Sequence, residues 1–146
     1  MPSSAVPLPV TLSTTAGDLA VVAGQLARRL RSRSAFPGHQ LIALGHLDRE
    51  GACTTSRLAA LERIRPQSMA QTVAELVAAG AVDRRPDPQD GRQILLEITE
   101  DGRRLLERER SARRTWLAEQ IAEALDDREQ AVLDEAVQLL RRLLEG

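Results

Sequence analysis

Apolar residues recur with a helical period along most of the chain and leave it once. From Ala16, the residues Leu19, Val22, Ala23, Leu26 and Leu30 share one face, with arginines beside them. Ser32 to Gly38 interrupts that face. Pro37 is placed to open a second helix with apolar positions Leu41, Leu44 and Leu47, which Gly51 ends. Thr54 is an N-cap candidate for a short third helix carrying Leu58 and Leu61. After a brief connection, Pro66 opens a fourth helix, and Gly80 ends it as a C′ residue. The period then changes. Two short segments, 81–85 and 93–98, flank the turn formers Pro86-Asp87-Pro88-Gln89-Asp90-Gly91-Arg92, which predicts a β-hairpin with a projecting tip. Thr99 caps a long helix running to about Leu125, with Glu100 and Asp101 in its first turn. Asp126 or Asp127 restarts a last helix with the stripe Val132, Leu133, Val137, Leu140 and Leu144.

This order predicts a mainly α fold with a small β-hairpin wing: a winged helix-turn-helix lobe over 37–98. Residues 1–15, rich in Pro, Ser and Thr, read as a flexible tail. Residues 16–36 form an N-terminal dimerisation helix and 99–146 the C-terminal dimerisation helices, because their apolar stripes exceed what one small lobe can bury. A homodimer is expected.

Composition first narrows and then reopens the question of partners. The 146 residues suffice for one domain with a real core, and a 28% charged fraction excludes a wholly disordered chain. No apolar run approaches a membrane span, and the N-terminus lacks a signal-peptide pattern, so a cytoplasmic protein without membrane association is expected. One cysteine excludes a disulfide framework. All 20 basic residues are arginine, which removes Schiff-base lysine chemistry and the P-loop lysine. The net charge of −1 does not suggest a polyanion partner. That average hides a split: residues 1–114 hold 17 arginines against 13 acids, and 115–146 hold three against eight. A basic face can coexist with an acidic segment packed elsewhere.

The fourth helix carries the chemistry. Met69, Val73, Leu76 and Val77 form its buried face, and Gln67, Ser68, Gln71, Thr72 and Glu75 are assigned to the opposite one. Four of those five are neutral donors and acceptors, where a solvated helix usually carries charge. Glutamine can pair with adenine through two hydrogen bonds, and serine or threonine can meet bases or phosphates. The free N–H groups of the helix N-terminus also suit phosphate. On the hairpin, Arg84, Arg85 and Arg92 are candidates for a narrow minor groove, with Asp90 expected to orient Arg92 by pairing with it.

The strings Ile64-Arg65-Pro66-Gln67-Ser68-Met69-Ala70-Gln71-Thr72-Val73, Gly80-Ala81-Val82-Asp83-Arg84-Arg85, Asp87-Pro88-Gln89-Asp90-Gly91-Arg92 and Ile98-Thr99-Glu100-Asp101-Gly102 together resemble the MarR family of bacterial transcription regulators. The likeness spans about Ala16 to Gly146. The resemblance implies a homodimer with interlocked terminal helices and two lobes reading a pseudo-palindrome in double-stranded DNA. It also implies release from DNA when a small-molecule effector or an oxidant acts between lobe and dimer interface. The resulting DNA-contact set is Thr54, Ser56, Arg57, Arg65, Pro66, Gln67, Ser68, Gln71, Thr72, Arg85, Asp90 and Arg92. Two departures matter. Arg65 replaces the capping hydroxyl common before Pro66 and becomes a phosphate candidate. Cys53 lies before the third helix, not near the first-helix start where the family's peroxide sensors carry theirs, so oxidant sensing does not carry over.

His39 and His46 lie about two turns apart, too far to chelate one ion directly. Packing or hydrogen bonding, a metal shared between subunits, or a face towards an effector remain open for them. Trp116 is read as dimer core rather than ligand platform. The chain shows no metal signature, cofactor motif or catalytic constellation, so no enzyme is expected. The alternative is a dimeric winged-helix protein-interaction module that does not bind DNA; a weaker third reading is a ligand-binding or enzymatic dimer.

Overall fold

The structure, a computed structural model, describes residues 9–146. Six helices and one hairpin follow in the predicted order: α1 Val10–Ser32, α2 Gly38–Glu50, α3 Thr55–Glu62, α4 Pro66–Ala78, β1 Val82–Pro86, β2 Ile94–Ile98, α5 Glu100–Ala124 and α6 Asp127–Glu145. The fold is therefore the predicted one, mainly helical with a two-stranded wing.

α1 starts earlier than the pattern suggested. The tail expected over 1–15 lies outside the described residues for 1–8, and over 10–15 it is corrected to helix. Pro9, in polyproline-like geometry, leads into the first turn, and the Thr14 and Thr15 hydroxyls each donate to the carbonyl four residues back. That local bonding lets threonines sit in a helix they otherwise disfavour.

The lobe is built by α2, α3 and α4 around one core. Leu44, Leu47, Leu58, Met69, Val73, Leu76, Val82 and Leu96 are all essentially inaccessible. Burying one such side chain contributes about 1.5–3 kcal/mol. Thr54 caps α3 as predicted, its hydroxyl accepting from the Arg57 N–H at 3.1 Å. Pro66 stands at the start of α4, and Gly80, at φ +74°, reverses the chain into β1. The strands pair antiparallel from Val82 with Ile98 to Pro86 with Ile94. A short third edge, not foreseen, comes from Cys53, which exchanges both backbone hydrogen bonds with Leu96 (3.1 and 2.7 Å) and ties the start of α3 to the wing.

The lobe does not end at residue 98. Leu106 of α5 belongs to its core, and Gly102 lies so close to Ala81 that any Cβ would collide with the Ala81 carbonyl oxygen. The expected boundary between 98 and 99 is thus moved into α5, because its first two turns pack on Ala81, Ile98 and the lobe core. Asp126 settles the last helix start: it and Glu129 form a reciprocal capping box. No residue of α1 or α6 is buried, and their apolar stripes stand exposed, from Leu19, Val22 and Leu26 to Val132, Leu140 and Leu144.

Candidate nucleic-acid interface

α4 turns its apolar side to the core and an uncharged side outward. Gln67, Ser68 and Gln71 are exposed, together with Ala70 and Ala74. Gln67, Ala70, Gln71 and Ala74 follow the spacing of one helix face, so two amides alternate with two methyl groups. Ala70 and Ala74 carry no polar atom, so a pattern of donors and acceptors alone does not mark them. A methyl beside an amide is complementary to an A·T pair, whose edge offers both a thymine methyl and adenine N6/N7.

Thr72 is not on that face. It is 6% exposed, and its hydroxyl donates to the Ser68 carbonyl at 3.3 Å. At 100° per residue it lies only about 60° from Met69 and 40° from Leu76, inside the buried arc. The assignment of Thr72 to the outward face is corrected accordingly.

Glu75, at the edge of the same helix, is held from α2. The Gln40 amide donates to its carboxylate at 2.6 Å and His39 Nε2 lies 3.2 Å from the same oxygen. These bonds, from His39 first and then Gln40, hold the carboxyl below its ordinary range. His46 does the corresponding work for α3: its Nε2 is 2.7 Å from Glu62. Both histidines therefore act as hydrogen-bonding struts from α2 to the two helices of the turn. Among the described residues, no group of three or more His, Cys, Asp and Glu side chains could hold a metal.

The edge of the interface is basic. Ser56, Arg57, Arg65 and Pro66 are exposed around the turn, while Thr54 is half-buried and engaged as a cap. Arg65 leaves the first turn of α4 without a side-chain cap, so the Gln67 and Ser68 N–H groups stay available to an anion. Arg63, between the helices, adopts left-handed geometry at φ 57°, a place where glycine is usual and which the sequence did not flag.

The wing differs from expectation in its use of side chains. Arg85 donates to Glu97 at 3.0 Å across the strands and is committed there. Asp90 does not grip the Arg92 guanidinium; its carboxylate accepts the Arg92 backbone N–H at 3.1 Å, as Asp87 accepts that of Gln89 at 2.9 Å. Two Asx turns thus shape the tip, where Arg92 is exposed; Arg84, in the middle of β1, is exposed as well.

Behind the turn, between α1, α2 and α5, lies a cavity of about 380 Å3 lined by Leu30, Leu41, Leu106 and the arginines Arg31, Arg49, Arg110 and Arg113. Gly45 forms part of its wall. The point where a Gly45 Cβ would sit is 3.4 Å from one Arg49 guanidinium nitrogen and 3.7 Å from one of Arg110. Cys53 stands apart, and its burial pushes the thiol above its ordinary range, opposite to a reactive cysteine. Trp116 carries the Arg33 guanidinium over its ring at 5.0 Å, tying the end of α1 to α5.

The sequence model of the MarR family matches residues 36–93, the lobe from Phe36 into the wing. An HTH-type transcriptional regulator of Mycobacterium bovis is 42% identical over 133 residues, covering 89% of this chain and 92% of the relative. A corresponding regulator of Mycobacterium leprae is 40% identical over the same share of both chains. Among solved structures, a transcriptional regulator protein from Pseudomonas aeruginosa superposes with a TM-score of 0.85 at 33% identity, covering 95% of this chain and 99% of that one. Wild-type MarR from Escherichia coli shares the fold with a TM-score of 0.74 at 19% identity, covering 93% and 98%.

Proposed function

The chain belongs to the MarR family of HTH-type transcriptional regulators, and from that premise we propose that it is a cytoplasmic, homodimeric repressor of a pseudo-palindromic operator, released by a small anionic effector. The observation that carries the DNA-binding half is the outward face of α4: amides and methyls without a charge, framed by Arg57, Arg65 and the wing arginines. Gln67 and Gln71 meet base edges, with Ser68 and the free N–H groups of the first turn on phosphate. Arg57 and Arg65 set the register on the backbone. Arg92, carried on the Asx-turned tip, enters the minor groove, and Arg84 replaces the tethered Arg85 as its companion. Two lobes place half-sites about 10 bp apart, centre to centre. The effector half rests on the cavity between α1, α2 and α5, where apolar walls carry four arginines.

The test is a titration of the full chain against the DNA upstream of its own gene and against random DNA of equal length. Gln71→Ala is expected to cost about 1–3 kcal/mol on the specific fragment and to relax one base preference. Equal losses on both DNAs would remove Gln71 from base reading. No binding to either at low salt would favour a protein-interaction module instead.

A further inference from the structure

His46 connects two places that the fold keeps apart. Arg49 donates to its Nδ1 at 3.2 Å, and its Nε2 is 2.7 Å from the Glu62 carboxylate. An arginine has no acceptor to offer, so Nδ1 must be the bare nitrogen, and Nε2 carries the proton that Glu62 receives. The chain of donors therefore runs one way, from Arg49 through the imidazole to Glu62. At one end, the Arg49 guanidinium faces the cavity above Gly45, beside that of Arg110. At the other end, Glu62 is the last residue of α3 and immediately precedes Arg63, the non-glycine residue held in left-handed geometry. The turn closes α3 with two backbone hydrogen bonds of its own, from the Arg63 N–H to Ala60 at 3.2 Å and from the Ile64 N–H to Ala59 at 3.1 Å. The His46–Glu62 bond, part-buried with side chains 16% and 28% exposed, supplies a tie from α2 to this turn.

We propose that His46 is a positioning residue for DNA binding, and that Arg49 makes it answer to the charge state of the cavity. An anion among the arginines draws the Arg49 guanidinium away from Nδ1. The imidazole then loses the donor that fixed its tautomer and ring angle, its grip on Glu62 loosens, and the α3–α4 turn loses this tie to α2. The recognition face of α4 moves with the turn. The step needs no covalent change, only the exchange of one hydrogen bond for an ion pair. It rests on the DNA-binding reading above, and its distinguishing part is the route from cavity to turn.

Two substitutions separate the two nitrogens. His46→Gln keeps a donor near the Nε2 position for Glu62 and loses the acceptor for Arg49; His46→Asn keeps an acceptor near Nδ1 and loses reach to Glu62. Benzoate serves as the probe anion, and the reading is the ratio of DNA affinities without and with it. The wild-type ratio is expected to be on the order of tenfold. In the Gln variant it should fall to about one whatever the starting affinity, whereas the Asn variant should bind DNA more weakly even without benzoate. A merely structural histidine would lower affinity in both variants and leave the ratio alone. A Gln variant that retains the wild-type ratio overturns the proposal. The His46 Nδ1 nitrogen resonance is read in parallel and should shift when benzoate is added to the wild type; no shift up to the solubility limit of benzoate also overturns it. Absence of any DNA binding by the wild type would instead overturn the operator reading, and the two failures are distinguishable because the nitrogen shift does not require DNA.

Discussion

Gln71 and Thr72 are neighbours in the chain but, about 100° apart around the helix, fall on different faces of it. The amide is exposed; the hydroxyl is turned back to the Ser68 carbonyl among core side chains. Both are small neutral polar residues, which is why composition alone groups them. Thr72→Val should therefore leave DNA affinity within about threefold while removing a part-buried hydrogen bond worth about 1 kcal/mol. Parallel DNA titrations and thermal melts check this, and a loss comparable to that of Gln71→Ala would return Thr72 to the interface. Asp90 teaches the same distinction at the wing. Its spacing before Arg92 suggests an ion pair, but a carboxylate two residues before an N–H is equally well placed to close an Asx turn, and here it does so. Arg65 is placed as its identity suggested, exposed at the uncapped start of α4.

At the scale of elements, two contacts hold the wing and the helix-turn-helix in one frame. The first is the Cys53–Leu96 exchange, which fastens the start of α3 to the middle strand position of β2. The second is the approach of α5 to Ala81 at Gly102. Gly102→Ala should force the two apart and destabilise the lobe by about 1–3 kcal/mol, seen as a fall of several degrees in melting temperature. An unchanged melt would mean that α5 shifts freely, and that its first turns are not part of the lobe. The hairpin tip makes a separate prediction, because its contribution is electrostatic. Arg92→Ala should reduce the slope of log affinity against log salt by about one, since one phosphate-directed charge is lost. Fluorescence anisotropy over a salt series reads this directly, and an unaltered slope would take the side chain out of the groove.

For the whole molecule, the decisive feature is what a single chain leaves uncovered. α1 and α6 bury no residue, yet carry Val10, Leu19, Val22 and Leu26 on one and Val132, Val137, Leu140 and Leu144 on the other. The proposed homodimer would cover these exposed stripes with the same stripes of a second copy. Sedimentation of the full chain should give a species of twice the chain mass that persists on dilution to micromolar concentration, and a stable monomer would undo the assignment of both helices. The charge split has a place in this picture. The acidic end of the chain lies in the last turns of α5 and in α6, and the arginines of α3, of the turn before α4 and of the wing lie in other elements, so a net charge of −1 moderates non-specific attraction to DNA without preventing a basic face.

Periodicity, capping residues and turn formers determined the element order, the buried side of α4 and the hairpin tip, because each depends on residues within a few positions of one another. The early start of α1 escaped that reading, since a tail rich in Pro, Ser and Thr has no strong apolar period even where it is helical. What tertiary structure alone decided is pairing across the chain. The union of Gln40 and His39 with Glu75, of His46 with Arg49 and Glu62, of Cys53 with Leu96, and the gathering of four arginines around one cavity all join separate elements. Such contacts depend on the angles at which helices cross and on where each side chain falls around its own axis. An error of one position in seventy leaves a pattern nearly intact, but turns a side chain by about 100° and exchanges its partner.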